Sequence, residues 1–206
     1  MNDYTDLELQ SILAGLYFEH KQTLNQRLVR SDIKQELLIK AIGKGRYHSV
    51  LDATTGLGRD AFLMASVSEK LLCFERHPEL YQHLERIFKV GQQNETLSPL
   101  LKKMTLINQC AIVFLTQYAG EPFDVIYCDP MFPVRTKSAL PKKESQYLQK
   151  MVGKDEDAEQ LIEVALNKAR HRVVVKRPIT SPILIQKPTL QYKARAHRFD
   201  VYCVGT

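Results

Sequence analysis

Two short stretches carry residue types that chemistry can use. The first is Asp129-Pro130-Met131-Phe132-Pro133, at the end of the apolar run 123–128. Its prolines fix φ and remove backbone donors, so the turn is stiff. Residues ahead of a proline are pushed toward extended geometry. Such a turn holds the Asp129 carboxylate, the carbonyls around Pro130 and the Phe132 ring at one place. A ring so placed can stack on an extruded base while acceptors take hydrogens from the base's exocyclic amine. That amine is a poor nucleophile, because its lone pair is delocalised into the ring. Acceptors for its hydrogens help the nitrogen turn pyramidal as it attacks. Positioning and local electrostatics then supply the rate, with no covalent enzyme intermediate. A rigid strand end with a core phenylalanine would use the same residues.

The second stretch is Thr54-Thr55-Gly56-Leu57-Gly58-Arg59-Asp60, between a strand-like run at 49–53 and a helical pattern. Glycines permit a sharp turn and let a ligand approach the backbone. The following helix start offers free N–H groups. The Lys-Ser/Thr ending of a phosphate-binding loop is absent, and Phe62 and Leu63 stand where a dinucleotide loop has its third glycine. Neither ATP nor NAD is therefore the natural ligand. Glu75 ends the next run, about 20 residues on, where an acid can accept ribose hydroxyls. A structural turn and a solvated surface acid would leave the same traces.

These groups need a scaffold that brings strand ends together. Strand-like runs at 49–53, 70–75, 104–108, 123–128 and 172–176 alternate with helical patterns at 60–67, 78–92, 111–118 and 158–171. That alternation predicts βαβ units and a parallel sheet with right-handed crossovers. Runs at 189–193 and 199–204 lie too close for another crossover, and predict an antiparallel pair. Residues 1–45 read as a short helical extension, with Leu9, Ile12, Leu13 and Leu16, then Ile33, Leu37 and Leu38, at helical spacing. Residues 46–206 read as one α/β domain.

Composition narrows the class. The 206 residues carry a net charge of +6, which favours polyanionic partners. Arg135, Lys137, Lys142 and Lys143 follow the Asp-Pro turn, and Lys176 and Arg177 end the 172–176 run. All six could meet phosphates beside a target base, or simply be solvated. The four cysteines, Cys73, Cys110, Cys128 and Cys203, form no C-x-x-C pair and predict free thiols in a reducing compartment. The six histidines show no metal-ligand spacing, so no metal is expected, and His197 reads as structural. A polar, acidic start and no apolar run of membrane-spanning length predict a cytoplasmic protein.

Leu51-Asp52-x-x-x-Gly56-x-Gly58 followed by Glu75 resembles the cofactor loop of class I S-adenosylmethionine-dependent methyltransferases. Asp129-Pro130-Met131-Phe132 resembles the Asp-Pro-Pro-Tyr/Phe signature of amino-methyltransferases acting on nucleic-acid bases, with Met131 in place of the second proline. Longer stretches are similar to the bacterial ribosomal RNA small subunit methyltransferase J family: residues 52–62, residues 129–144, Val173-Val174-Val175-Lys176-Arg177-Pro178 and His197-Arg198-Phe199-Asp200-Val201-Tyr202. The resemblance covers roughly residues 17–205. It implies a Rossmann-like class I methyltransferase fold, a mostly parallel seven-stranded sheet with a C-terminal antiparallel hairpin. It implies methylation of N2 of a guanosine in 16S rRNA, free or in the 30S subunit, by a monomer. S-adenosylmethionine would meet Asp52, Gly56, Gly58, Arg59, Asp60, Glu75, Arg76, Gln109, Cys110, Ala111 and Asp129. Asp129, Pro130 and Phe132 would be catalytic. An adenine-N6 methyltransferase, or a non-catalytic nucleic-acid-binding module on the same fold, would preserve much of this pattern.

Overall fold

A computed structural model describes residues 36–43, 45, 47–131 and 156–205. The helical pattern ahead of residue 36 lies outside these, as do Phe132, Arg135, Lys137, Lys142 and Lys143.

The apolar runs form seven strands: β1 Tyr47–Asp52, β2 Ser68–Phe74, β3 Met104–Ile107, β4 Phe123–Cys128, β5 Ala169–Pro178, β6 Leu190–Lys193 and β7 His197–Cys203. They make one sheet in the order β3-β2-β1-β4-β5-β7-β6. Strands β1 to β5 run parallel, and β7 runs antiparallel to both β5 and β6. This is the doubly wound, mostly parallel sheet with a closing hairpin that the alternation predicts.

Six described helices cover it: α1 Leu37–Ile42, α2 Arg59–Val67, α3 Pro78–Gly91, α4 Ser98–Leu101, α5 Ala111–Gln117 and α6 Ala158–Lys168. Successive strand residues point to opposite faces, so a sheet buried on both sides needs apolar residues in succession. Val50, Leu71, Val125, Tyr127 and Val174 pack on one side with α1 and α2 residues such as Ile42 and Phe62. Leu51, Ile126, Val173 and Val175 pack on the other with Leu115 of α5 and Ile162 of α6. Every residue of β4 is buried. Helix α1 lies within the stretch set apart as residues 1–45, yet its Leu38, Ile39, Ala41 and Ile42 are buried in the first of these cores.

Several element bounds differ from the sequence expectation, and one short helix was not expected. Helix α6 stops at Lys168, because Ala169 pairs with Phe123 of β4 and begins β5. Sheet pairing there overrides a helical pattern that continues through the sequence. Helix α2 passes into β2 with no connecting loop, and Ser68 Oγ donates to the Met64 carbonyl at 2.9 Å to close the helix end. The short α4 carries Pro99 in its first turn and follows Asn94, whose side chain accepts from the Thr96 and Leu97 N–H groups.

The chain moves outward from β1 to β2 and β3, then returns to place β4 on β1's other side. Connections leave the carboxyl ends of β1 and β4 in opposite directions. In open α/β sheets this reversal opens a crevice where ligands bind.

Candidate active site

Both chemistry-bearing stretches leave strands at that reversal. Leaving β1, the Ala53 N–H donates to the Tyr127 carbonyl of β4 at 2.9 Å, and the Thr55 N–H to the Phe74 carbonyl of β2 at 2.9 Å. The loop is thereby stitched to both neighbours. Asp52, buried at the strand end, accepts the Thr54 N–H at 3.1 Å. Gly56 and Gly58 then take φ of +56° and +75°, a region that side chains strain. A Cβ on Gly58 would press on Leu84 of α3 at 3.0 Å. On Gly56 it would meet nothing nearer than the Thr54 carbonyl at 3.9 Å, so the space above this residue is open.

Glu75 closes the floor from β2. Its N–H donates to the Ile107 carbonyl of β3 at 3.0 Å, and Asn108 Nδ2 donates to its carbonyl at 2.8 Å. Its carboxylate reaches back over the loop: Oε2 accepts the Gly56 N–H at 2.9 Å and Oε1 the His77 N–H at 2.7 Å. The residue is 6% exposed, and burial raises its carboxyl above the ordinary range although both N–H groups oppose this. A carboxylate offers about four lone-pair positions, so two remain for hydroxyl donors. The open space at Gly56 beside this locked acceptor could hold the ribose and methionine portion of S-adenosylmethionine.

The Asp-Pro turn abuts this floor. The Asp129 N–H donates to Thr54 Oγ1 at 2.6 Å. The parallel register sets Cys128 beside Val175, so the next residues, Asp129 and Lys176, come side by side. Lys176 Nζ donates to Asp129 Oδ2 at 2.8 Å and to Asp60 Oδ2 at 2.8 Å. The buried Tyr127 hydroxyl donates to the same Asp60 oxygen at 2.7 Å. Burial works against the Lys176 ammonium, but the two carboxylates outweigh it and raise its pKa. The Asp52 carboxyl lies well above its ordinary value, chiefly through burial and then through Asp60, Asp129 and Glu75 nearby. Four carboxyls, those of Asp52, Asp60, Glu75 and Asp129, thus gather here, with Lys176 bonded to two of them.

The remaining expected contacts sit as follows. Arg59 and Arg76 are exposed at the same edge, and Arg76 pairs with Asp157 at 2.7 Å just ahead of α6. Gln109 and Cys110 are half-buried and Ala111 is buried, where β3 turns into α5. Pro130 is buried beside Asp129. Lys176 and Arg177, read from sequence as phosphate contacts, are placed otherwise. Lys176 is committed to two carboxylates. Arg177 is 3% exposed and donates to the Pro182 carbonyl at 2.9 Å. Consecutive strand residues point to opposite faces, so only one of the pair could reach the crevice. The sequence reading missed Thr54 as the latch to Asp129 and Tyr127 as the prop of Asp60. The one available signal was a lysine following Val173-Val174-Val175, since a charge continuing a buried strand needs a partner.

The family model described as "Putative SAM-dependent methyltransferase" matches residues 8–204. A Marinobacter nauticus protein named ribosomal RNA small subunit methyltransferase J is 41% identical over 171 residues, covering 81% of this chain and 62% of its own length. The chain thus spans less than two thirds of that relative. A protein of the same name from Pseudoalteromonas translucida is 45% identical, over 82% of this chain and 68% of its own. A solved SAM-dependent methyltransferase from Neisseria gonorrhoeae superposes with a TM-score of 0.63 at 32% identity, over 81% of this chain and 70% of its own. Together with the glycine floor and the Asp-Pro turn at one sheet edge, these likenesses show that the chain belongs to the S-adenosylmethionine-dependent methyltransferase family that includes the proteins named ribosomal RNA small subunit methyltransferase J.

Proposed function

We propose that this chain methylates the N2 exocyclic amine of a guanosine in 16S rRNA, free or within the 30S subunit, in the cytoplasm. The observation that carries this reading is the direct contact between the two halves of the site, Asp129 N–H to Thr54 Oγ1. It sets an acceptor for a target amine against the floor that would hold the cofactor.

The roles follow from what each group can do. Glu75 accepts the ribose hydroxyls, and Gly56 leaves the backbone open beneath the cofactor. Gly58, Arg59, Asp60, Arg76, Gln109, Cys110 and Ala111 complete its surroundings. Bound there, S-adenosylmethionine would supply an electrophilic methyl: the amine lone pair would take the methyl carbon, the carbon–sulfur pair would leave on sulfur, and one amine proton would pass to water. Asp129 and the Pro130 carbonyl accept the amine hydrogens and turn the lone pair toward the methyl. Phe132 stacks on the extruded guanine. Arg135, Lys137, Lys142 and Lys143 meet flanking phosphates. The catalytic groups contribute mainly orientation and fixed electrostatics.

The test is transfer of labelled methyl to deproteinised rRNA and to 30S particles, followed by identification of the modified nucleoside. N2-methylguanosine is expected, and N6-methyladenosine would move the substrate to the other base. Asp129→Ala should abolish transfer while the melting curve stays cooperative. Full activity in that variant would refute the site.

A further inference from the structure

Lys176 holds an unusual position for a basic residue in a protein that acts on a polyanion. It continues β5 beyond three buried valines, and its side chain is 26% exposed. Two of its three N–H donors are spent on Asp129 Oδ2 and Asp60 Oδ2. Asp60 belongs to the first turn of α2, directly after the glycine loop, and Tyr127 holds the same oxygen from β4. Lys176 therefore spans the cofactor helix and the Asp-Pro turn. Lys176 takes Asp129 Oδ2, so Oδ1 is the oxygen it does not hold. Burial pushes the Asp129 carboxyl up, and the ammonium draws it back toward the charged, accepting form.

Resting on the methyltransferase reading above, we propose that Lys176 is a positioning residue: it straps the Asp129 carboxylate to the start of α2 and presents its remaining oxygen to the target amine. It is not a phosphate contact. An orientation device and an RNA contact leave different kinetic marks. Losing an orientation lowers turnover, because a misplacement of about 1 Å costs on the order of 100-fold. Losing a phosphate contact weakens RNA binding and lowers the salt slope by about one.

The experiment compares Lys176→Met and Lys176→Arg with the parent chain. It measures kcat and KM for rRNA across a salt series, with cofactor affinity by calorimetry. The expected result for Lys176→Met is a kcat lower by roughly 100-fold, with KM, its salt slope and cofactor affinity each within about threefold. Lys176→Arg, which keeps the charge and two donors, should recover at least about tenfold of that loss. Cofactor binding certifies the fold of each variant. Should Lys176→Met fail to bind, Lys176→Arg decides through the same split between kcat and KM. An unchanged kcat, or a raised KM with a salt slope lower by about one, overturns the proposal. If the parent chain binds cofactor but methylates no rRNA, the functional reading fails, and the role given to Lys176 goes with it.

Discussion

Replacing Glu75 by Gln tests the floor of the crevice with one atom's change. The carboxylate offers about four lone-pair positions; the Gly56 and His77 N–H groups take one on each oxygen. The two that remain are assigned to ribose hydroxyls. Glutamine keeps one acceptor oxygen and replaces the other by NH2. Whichever way the amide turns, one backbone donor then faces a donor. A hydrogen bond to a charged acceptor is worth about 1.5–3 kcal/mol. Its loss from the cofactor side corresponds to about 10- to 150-fold weaker binding. The fold should change less, because the substitution also removes a buried charge whose carboxyl burial already disfavours. Calorimetry with S-adenosylmethionine reads the affinity, and thermal melts read the fold. A dissociation constant within about threefold of the parent, with matching melts, would show that the free lone pairs of Glu75 do not meet the ribose.

Two further outcomes follow from buried charge. Burial raises the folded-state carboxyl of Asp52 well above its unfolded value. The stability tied to that proton is fully present below the unfolded value of about 4, and is lost as pH rises through the folded value. Asp52→Asn keeps an oxygen for the Thr54 N–H and cannot ionise, so its melting temperature should gain on the parent as pH rises from about 4 to 8. A gap that is constant or shrinks with pH would contradict the argument. Arg198 donates to both oxygens of the buried Asp200 and to the carbonyls of Pro178, Ile179 and Ser181. Arg198→Met removes the charge paired with that carboxylate, leaving Gln191 Nε2 on Oδ1 at 2.7 Å, and should cost about 3–5 kcal/mol in chemical denaturation; a loss under about 1 kcal/mol would mean the arginine is replaceable there.

Much of the fold was legible in the order of residues, because its causes are local. A strand buried on both faces needs successive apolar residues, and β4 and β5 show them. A left-handed turn needs glycine, which Gly56 and Gly58 supply. An acid about 20 residues further on suits a ribose, which made Glu75 a candidate, and β2 brings its carboxylate onto the Gly56 N–H. The end of α6 was not legible, since the residues after Lys168 suit a helix until β4 offers them partners.

The assembly of the site belonged to the tertiary structure. Thr54 and Asp129 are 75 residues apart, and Lys176 and Asp60 are 116 apart. No local pattern encodes such pairs; the neighbouring of β1, β4 and β5 and the register between them do. A lysine reads alike in sequence whether it faces water, a phosphate or a carboxylate. The pairing of Cys128 with Val175 brings Lys176 beside Asp129, and strand alternation turns Arg177 away to the Pro182 carbonyl. Residue types declared which chemistry was available, and strand order and register chose which groups meet, because electrostatic and hydrogen-bonding partners act across a few ångströms of space whatever their separation along the chain.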